Sequence, residues 1–161
     1  MLKNISFSSV KKIGTKLLER LKKLPGTPRS IAIGVACGVA VSFTPFLGFH
    51  MAIAAGSAWL FGGSIIASAI GTLIGNPWTF PIIWVAILYT GRKLLRLEHN
   101  KTPSNFEEFF TSAWQALKEL DIDTFGHDIW PILWPMIVGS IPFYIIFWIL
   151  SYFLVKHSLT K

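Results

Sequence analysis

Between Arg29 and Arg92 lie sixty-two residues without a single Lys, Arg, Asp or Glu. About a quarter of the residues in a soluble domain are charged, so this block does not read as an ordinary soluble core. A bilayer's hydrocarbon layer is about 30 Å thick and takes about 20 apolar residues per helical crossing. The block is therefore predicted to be embedded in a membrane and long enough to enter and return. Within it the pattern repeats. Ile31 to Phe43 is a run of small and branched residues with glycines at Gly34 and Gly38. In lipid, small residues four apart let two backbones approach closely. At about 1.5 Å per residue this run reaches only about 20 Å, so it ends inside the apolar layer. Thr44-Pro45 follows, a pairing favoured at the cap and first position of a helix, and predicts a second half-helix running to about Phe61. Gly62-Gly63-Ser64 marks a turn. Ile65 to Ile74 repeats the small-residue helix, with Gly71 and Gly75 four apart and Gly75 suited to a left-handed cap. Asn76-Pro77 then opens an apolar run to Tyr89. The glycine pairs are offset by 37 residues and Pro45 and Pro81 by 36, which suggests an internal duplication.

The flanks have other periods. Over residues 5–24, Val10, Ile13, Leu17, Leu21 and Leu24 fall at spacings of three and four. Lys11, Lys12, Lys16, Arg20, Lys22 and Lys23 fill much of the remaining surface, which predicts a basic amphipathic helix lying in the headgroup plane. Thr27-Pro28 restarts the chain. Residues 97–128 are the one hydrophilic span. There Ser104 and Glu107 form a capping box, and Phe106, Phe109, Phe110, Ala113, Trp114, Leu117 and Leu120 line one face of a surface helix. Residues 129–155 again lack charge. Trp130-Pro131 and Trp134-Pro135 suit an interfacial approach, and Met136 to Val155 suits a spanning helix kinked at Pro142.

Composition sharpens this picture. Of 161 residues, 52% are hydrophobic and 14% charged, with seven Trp and thirteen Phe. A net charge of +7 in a soluble protein would suggest nucleic acid, but its placement argues against that partner. Residues 1–29 hold eight Lys/Arg against one Glu, whereas residues 92–128 hold five against seven acids. Basic residues beside an apolar block mark the cytoplasmic side, so the N-terminus is expected there and Arg29, Arg92 and Lys93 against lipid headgroups. With Arg29 and Arg92 on one side the block crosses an even number of times. Each half is either a re-entrant hairpin or one broken spanning helix. A single cysteine, Cys37, excludes an intrachain disulfide.

The expected fold is all-α: a polytopic membrane protein with two broken-helix or re-entrant hairpin units, one C-terminal transmembrane helix and interfacial amphipathic helices. Its segments are 1–26, 27–96, 97–128 and 129–161.

Catalytic constellations are not evident. His50 is the one histidine in the apolar block, and no carboxylate accompanies it there to make it a base. Asp121, Asp123, His127 and Asp128 lack a spacing that fixes metal geometry, so neither a metal nor a cofactor is expected. The two breaks are the candidate sites. Broken helices survive in hydrocarbon only inside protein or beside a wet cavity, and each new N-terminus offers unpaired N–H groups and a partial positive charge. The candidate ligand-binding residues are Thr44, Pro45, Phe46, Gly48 and His50 at the first break and Asn76, Pro77, Trp78 and Thr79 at the second. Their expected ligand is a small solute or an anionic lipid headgroup, bound or passed without covalent chemistry. The bland reading is that Thr44 and Asn76 only cap their own helices. A different function class also fits: a membrane scaffold or lipid-organising protein that acts through homo-oligomerisation on its glycine faces.

Two motifs carry a resemblance. Pro28…Ala32-Ile33-Gly34…Gly38…Phe43-Thr44-Pro45-Phe46-Leu47-Gly48-Phe49-His50, followed by Gly75-Asn76-Pro77-Trp78-Thr79-Phe80-Pro81 and Gly91, resembles the bacterial family DUF2062 over about residues 28–95. The resemblance implies a multi-pass protein of the bacterial inner (cytoplasmic) membrane and supplies no catalytic residue. Where a Gly-Asn pair is expected at the central turn of such proteins, this chain has Gly63-Ser64.

Overall fold

The computed structural model describes residues 16–46, 49–75, 79–97 and 130–161. Among them there are helices and turns and no strand. Residues 16–22 are helical, with Leu21 buried and Lys16, Arg20, Lys22 and Lys23 exposed. The first fifteen positions of the predicted basic helix, and the whole of residues 98–129 with their capping box and acidic cluster, lie outside the described residues. The chain divides into two compact units. The first comprises Met1–Ser42, Phe46–Asn76 and Ile145–Lys161, and the second Phe43–Pro45 and Pro77–Tyr144.

The first unit is arranged around helix α1, Pro28–Val41. Thr27 caps it, its hydroxyl accepting from the Ser30 N–H at 3.2 Å, and Pro28 occupies the first turn, where no N–H is needed. Every residue from Ile31 to Val41 is buried. A helix apolar on all sides is stable only when covered on all sides, and here Ala58, Ser64, Ala67, Gly71, Trp148 and Tyr152 supply part of that cover. Helix α2, His50–Leu60, buries Ala54 and Ala58 and leaves Met51, Ile53, Trp59 and Leu60 exposed. Helix α3, Ile65–Gly71, tightens into a 3-10 turn at Thr72–Ile74. Its start is fixed by Ser64, whose hydroxyl accepts from the Ala67 N–H at 3.3 Å. The predicted turn thus carries a cap that its glycines conceal. Ser64→Ala should lower the protein's stability by about 1 kcal/mol, the usual worth of such a cap, and Ser64→Thr should recover most of it; thermal unfolding of the purified protein measures both.

Helices α1 and α3 touch backbone to backbone. A Cβ at Gly34 would run into the Ser64 carbonyl, and one at Gly38 into the Ser68 carbonyl and, at 2.9 Å, the Gly71 Cα. From the other side, a Cβ on Gly71 would stand 2.5 Å from the Val35 carbonyl oxygen. Because contacts at Gly34 lead to 64 and 67 and those at Gly38 to 68 and 71, the two helices run parallel. Between them α2 runs back. The turn that follows α2 closes on the start of α1 through the Ser64 N–H, which donates to the Ser30 carbonyl at 2.9 Å. Buried hydroxyls are satisfied within their own helices: Ser42 donates to Gly38, Ser68 to Ile65 and Thr72 to Ala69, at 3.0, 2.7 and 2.8 Å.

In the second unit, helix α4, Phe80–Leu95, buries Phe80, Ile83, Trp84, Ile87 and Gly91 along one stripe and exposes Ile82, Val85 and Tyr89. Arg96 closes it in the left-handed conformation at φ 53°, and the Leu97 N–H donates back to the Arg92 carbonyl at 3.1 Å. The predicted apolar run to Tyr89 therefore continues as helix for another turn and a half, with Arg92 and Lys93 in the last turn, where they complement the helix dipole. Helix α5, Trp130–Thr160, begins at the first tryptophan rather than near Met136 and continues past Pro135 and Pro142. Its early residues cross α4 at two glycines. A Cβ on Gly91 would strike the Pro135 carbonyl, and one on Gly139 the Ile87 carbonyl and, at 2.5 Å, the Gly91 nitrogen. That order makes the crossing antiparallel. The later residues of α5 belong to the first unit, where Trp148 and Tyr152 pack on Ile33, Cys37 and Ala58.

Candidate functional site

The first chain break follows α1 directly. Ser42 and Phe43 are buried, Thr44, Pro45 and His50 half-buried, and Phe46 and Phe49 exposed. Thr44-Pro45 does not cap the next helix. Helix α2 starts at His50, its N-cap is Phe49, and no side chain caps it. Thr-Pro suits a turn as well as a helix start. Here α1 has ended at Val41 and α2 starts only at His50, so the pair falls in the connection. The buried aromatic at the end of α1, Phe43, stacks on Phe143 at 6.2 Å within the second unit.

The second break follows Ile74. Gly75 is extended, at φ −79° and ψ 91°, and not the left-handed cap expected of it. A 3-10 turn has already closed the helix end, the Gly75 N–H donating to the Thr72 carbonyl at 3.0 Å, so no left-handed residue is needed. The next helix starts at Phe80, with Thr79 as N-cap and Pro81 in the first turn. Pro81 therefore takes the first-turn place assigned to Pro77, because a proline at the second helical position also loses no hydrogen bond. Thr79 makes no side-chain capping bond. Gly48, Asn76, Pro77 and Trp78 lie outside the described residues.

Thus Thr44, Pro45 and Thr79 belong to the second unit, and Phe46, His50 and Gly75 to the first. Of the headgroup candidates, Lys16, Arg20, Lys22, Lys23, Arg29 and Lys93 are exposed and Arg92 half-buried, while Lys11 and Lys12 lie outside the described residues. The glycines Gly34, Gly38 and Gly71 are closed by their own chain, which leaves no room there for a second copy.

Sequence reasoning did not single out three features. Ser64 as a cap was hidden in a glycine turn. The Gly91–Gly139 crossing had a signal in the small pair Gly139-Ser140 within an otherwise bulky apolar run. The Trp148 Nε1–H donates to the Cys37 Sγ at 3.5 Å, and its ring meets Phe61 edge-on at 6.4 Å and stacks on Tyr152 at 5.5 Å. Nothing in the local sequence pairs residues more than a hundred positions apart.

These features define an all-α protein of glycine-packed helices in which, among the described residues, one helix, Trp130–Thr160, is long and apolar enough to cross a membrane. The family model described as an uncharacterized protein conserved in bacteria (DUF2062) matches residues 11–161, and the chain belongs to that family. The match thus extends well beyond the two motifs, into the N-terminal and C-terminal helices. No curated protein and no solved structure matches the chain.

Proposed function

We propose that this DUF2062 member is a multi-pass protein of the bacterial inner membrane, N-terminus in the cytoplasm, that binds or passes a small solute or an anionic lipid headgroup at its two chain breaks. No covalent chemistry is part of the proposal. The observation that carries it is the way α1 ends: a helix buried on every side stops after 14 residues, inside a stretch without any charge. Its length of about 20 Å is too short for a crossing, so the connection 42–49 lies at depth. Backbone at that depth has to be enclosed by protein or line a wet cavity. Thr44 and Thr79, both half-buried and both in the second unit, supply polar side chains at the two breaks.

The test is retention of phosphatidylglycerol in native mass spectra and efflux of trapped inorganic phosphate from liposomes. Thr44→Val with Asn76→Leu should reduce one of them by about tenfold, the worth of one or two hydrogen bonds. Unchanged retention and flux in folded double variant would end the proposal.

A further inference from the structure

We infer that α1 and α2 form a re-entrant hairpin open to one leaflet only, and that the turn after α2 is seated in the anionic headgroup layer of that leaflet beside Arg29. The backbone fixes the level of this turn. The Ser64 N–H donates to the Ser30 carbonyl at 2.9 Å, and the Gly63 N–H to the Ala58 carbonyl at 2.7 Å. Gly63 lies so close that a Cβ there would stand 2.8 Å from the Gly34 nitrogen. The start of α1 and the end of α2 are therefore at one height. Neither helix, at 14 and 11 residues, covers the hydrocarbon layer of about 30 Å. The chain goes in along α1 and comes back along α2 to where it entered.

That height is the surface because of what flanks it. Lys22, Lys23 and Arg20 just before α1, and Arg29 in its first turn, are exposed, and such side chains do not rest in hydrocarbon. Around the turn, Trp59 and Leu60 are each 73% exposed, and Phe61, Ile65 and Ile66 at least half exposed. Apolar and aromatic side chains collected at the level of basic ones are what an acyl–headgroup boundary takes up. The sequence has no acid between Glu19 and Glu98, so the layer that complements this surface is anionic phospholipid. The inference rests on the membrane reading proposed above but requires no ligand at the chain breaks, so unchanged lipid retention and flux in the Thr44→Val, Asn76→Leu variant would leave it standing.

The experiment places a nitroxide at Phe61→Cys, and separately at Phe46→Cys, in the full chain reconstituted in phosphatidylethanolamine–phosphatidylglycerol vesicles. The buried native thiol Cys37 in unsubstituted protein is the labelling control. A nickel chelate confined to the N-terminal side should relax the label at 61 from within about 5 Å of the phosphate plane. The label at 46 should lie deeper by about 15–20 Å, the rise of α1. Relaxation of 61 only from the opposite side, equal depths at 61 and 46, or dipolar coupling between copies at 61 would each overturn the hairpin or its seat. Spin-labelled phosphatidylglycerol should relax Phe61→Cys at least twice as strongly as the phosphatidylcholine analogue, and Arg29→Gln should remove the difference. Equal relaxation by both lipids would overturn the anionic assignment.

Discussion

Gly91→Ala lowers the stability of the protein by about 3 kcal/mol and its unfolding temperature by about 10 °C, and Gly139→Ala does nearly the same. The added methyl at 91 meets the Pro135 carbonyl, a helix backbone atom that cannot rotate away as a side-chain end would. Helices α4 and α5 must separate along their contact, and Ile87, fully buried at the crossing, loses its packing with them. Gly56→Ala is the control. Gly56 lies within α2 with nothing within 4 Å of a new Cβ, so alanine there should stabilise by about 0.5–1 kcal/mol. Thermal unfolding of the three variants in one detergent decides the matter. If Gly91→Ala melts with Gly56→Ala rather than below the unsubstituted protein, the crossing is wrong.

Trp148→Ala has the second large effect, about 3 kcal/mol. The indole fills the space between Cys37, Phe61 and Tyr152. Beneath it Cys37, a residue of α1, is fully buried. Trp148→Phe keeps most of the ring and loses only a weak N–H bond to sulfur, so it should cost less than about 1 kcal/mol. The sensitive readout is Cys37 itself. Its modification by a small permeant maleimide should accelerate severalfold in Trp148→Ala and hardly at all in Trp148→Phe; an unchanged rate in the alanine variant would show that the indole does not cover the thiol.

The helical class of the fold was legible because short-range signals suffice for it. Thr27-Pro28 caps α1 as its residue types demand, and the small residues Gly34, Gly38 and Gly71 sit where two backbones meet. The starts of α2 and α4 were not legible. Thr44-Pro45 and Thr79-Phe80-Pro81 are equally acceptable openings by local chemistry, and only the second opens a helix. What separates them is how much chain the preceding reversal consumes, a property of the packed helices rather than of any dipeptide. The bond from Ser64 to Ser30 couples residues 34 positions apart, and no periodicity in the chain reports it. At the candidate sites, residue types were legible and their capping roles were not.

The enclosure of α1 has a consequence for biosynthesis. This helix is made early, yet part of its wall, around Trp148 and Tyr152, is translated more than a hundred residues later. Until that segment arrives, the nascent chain holds a sealed helix with one flank open, and contacts so distant in sequence form slowly. Arrival of the segment around Trp148 and Tyr152 is then the step that completes the enclosure of α1.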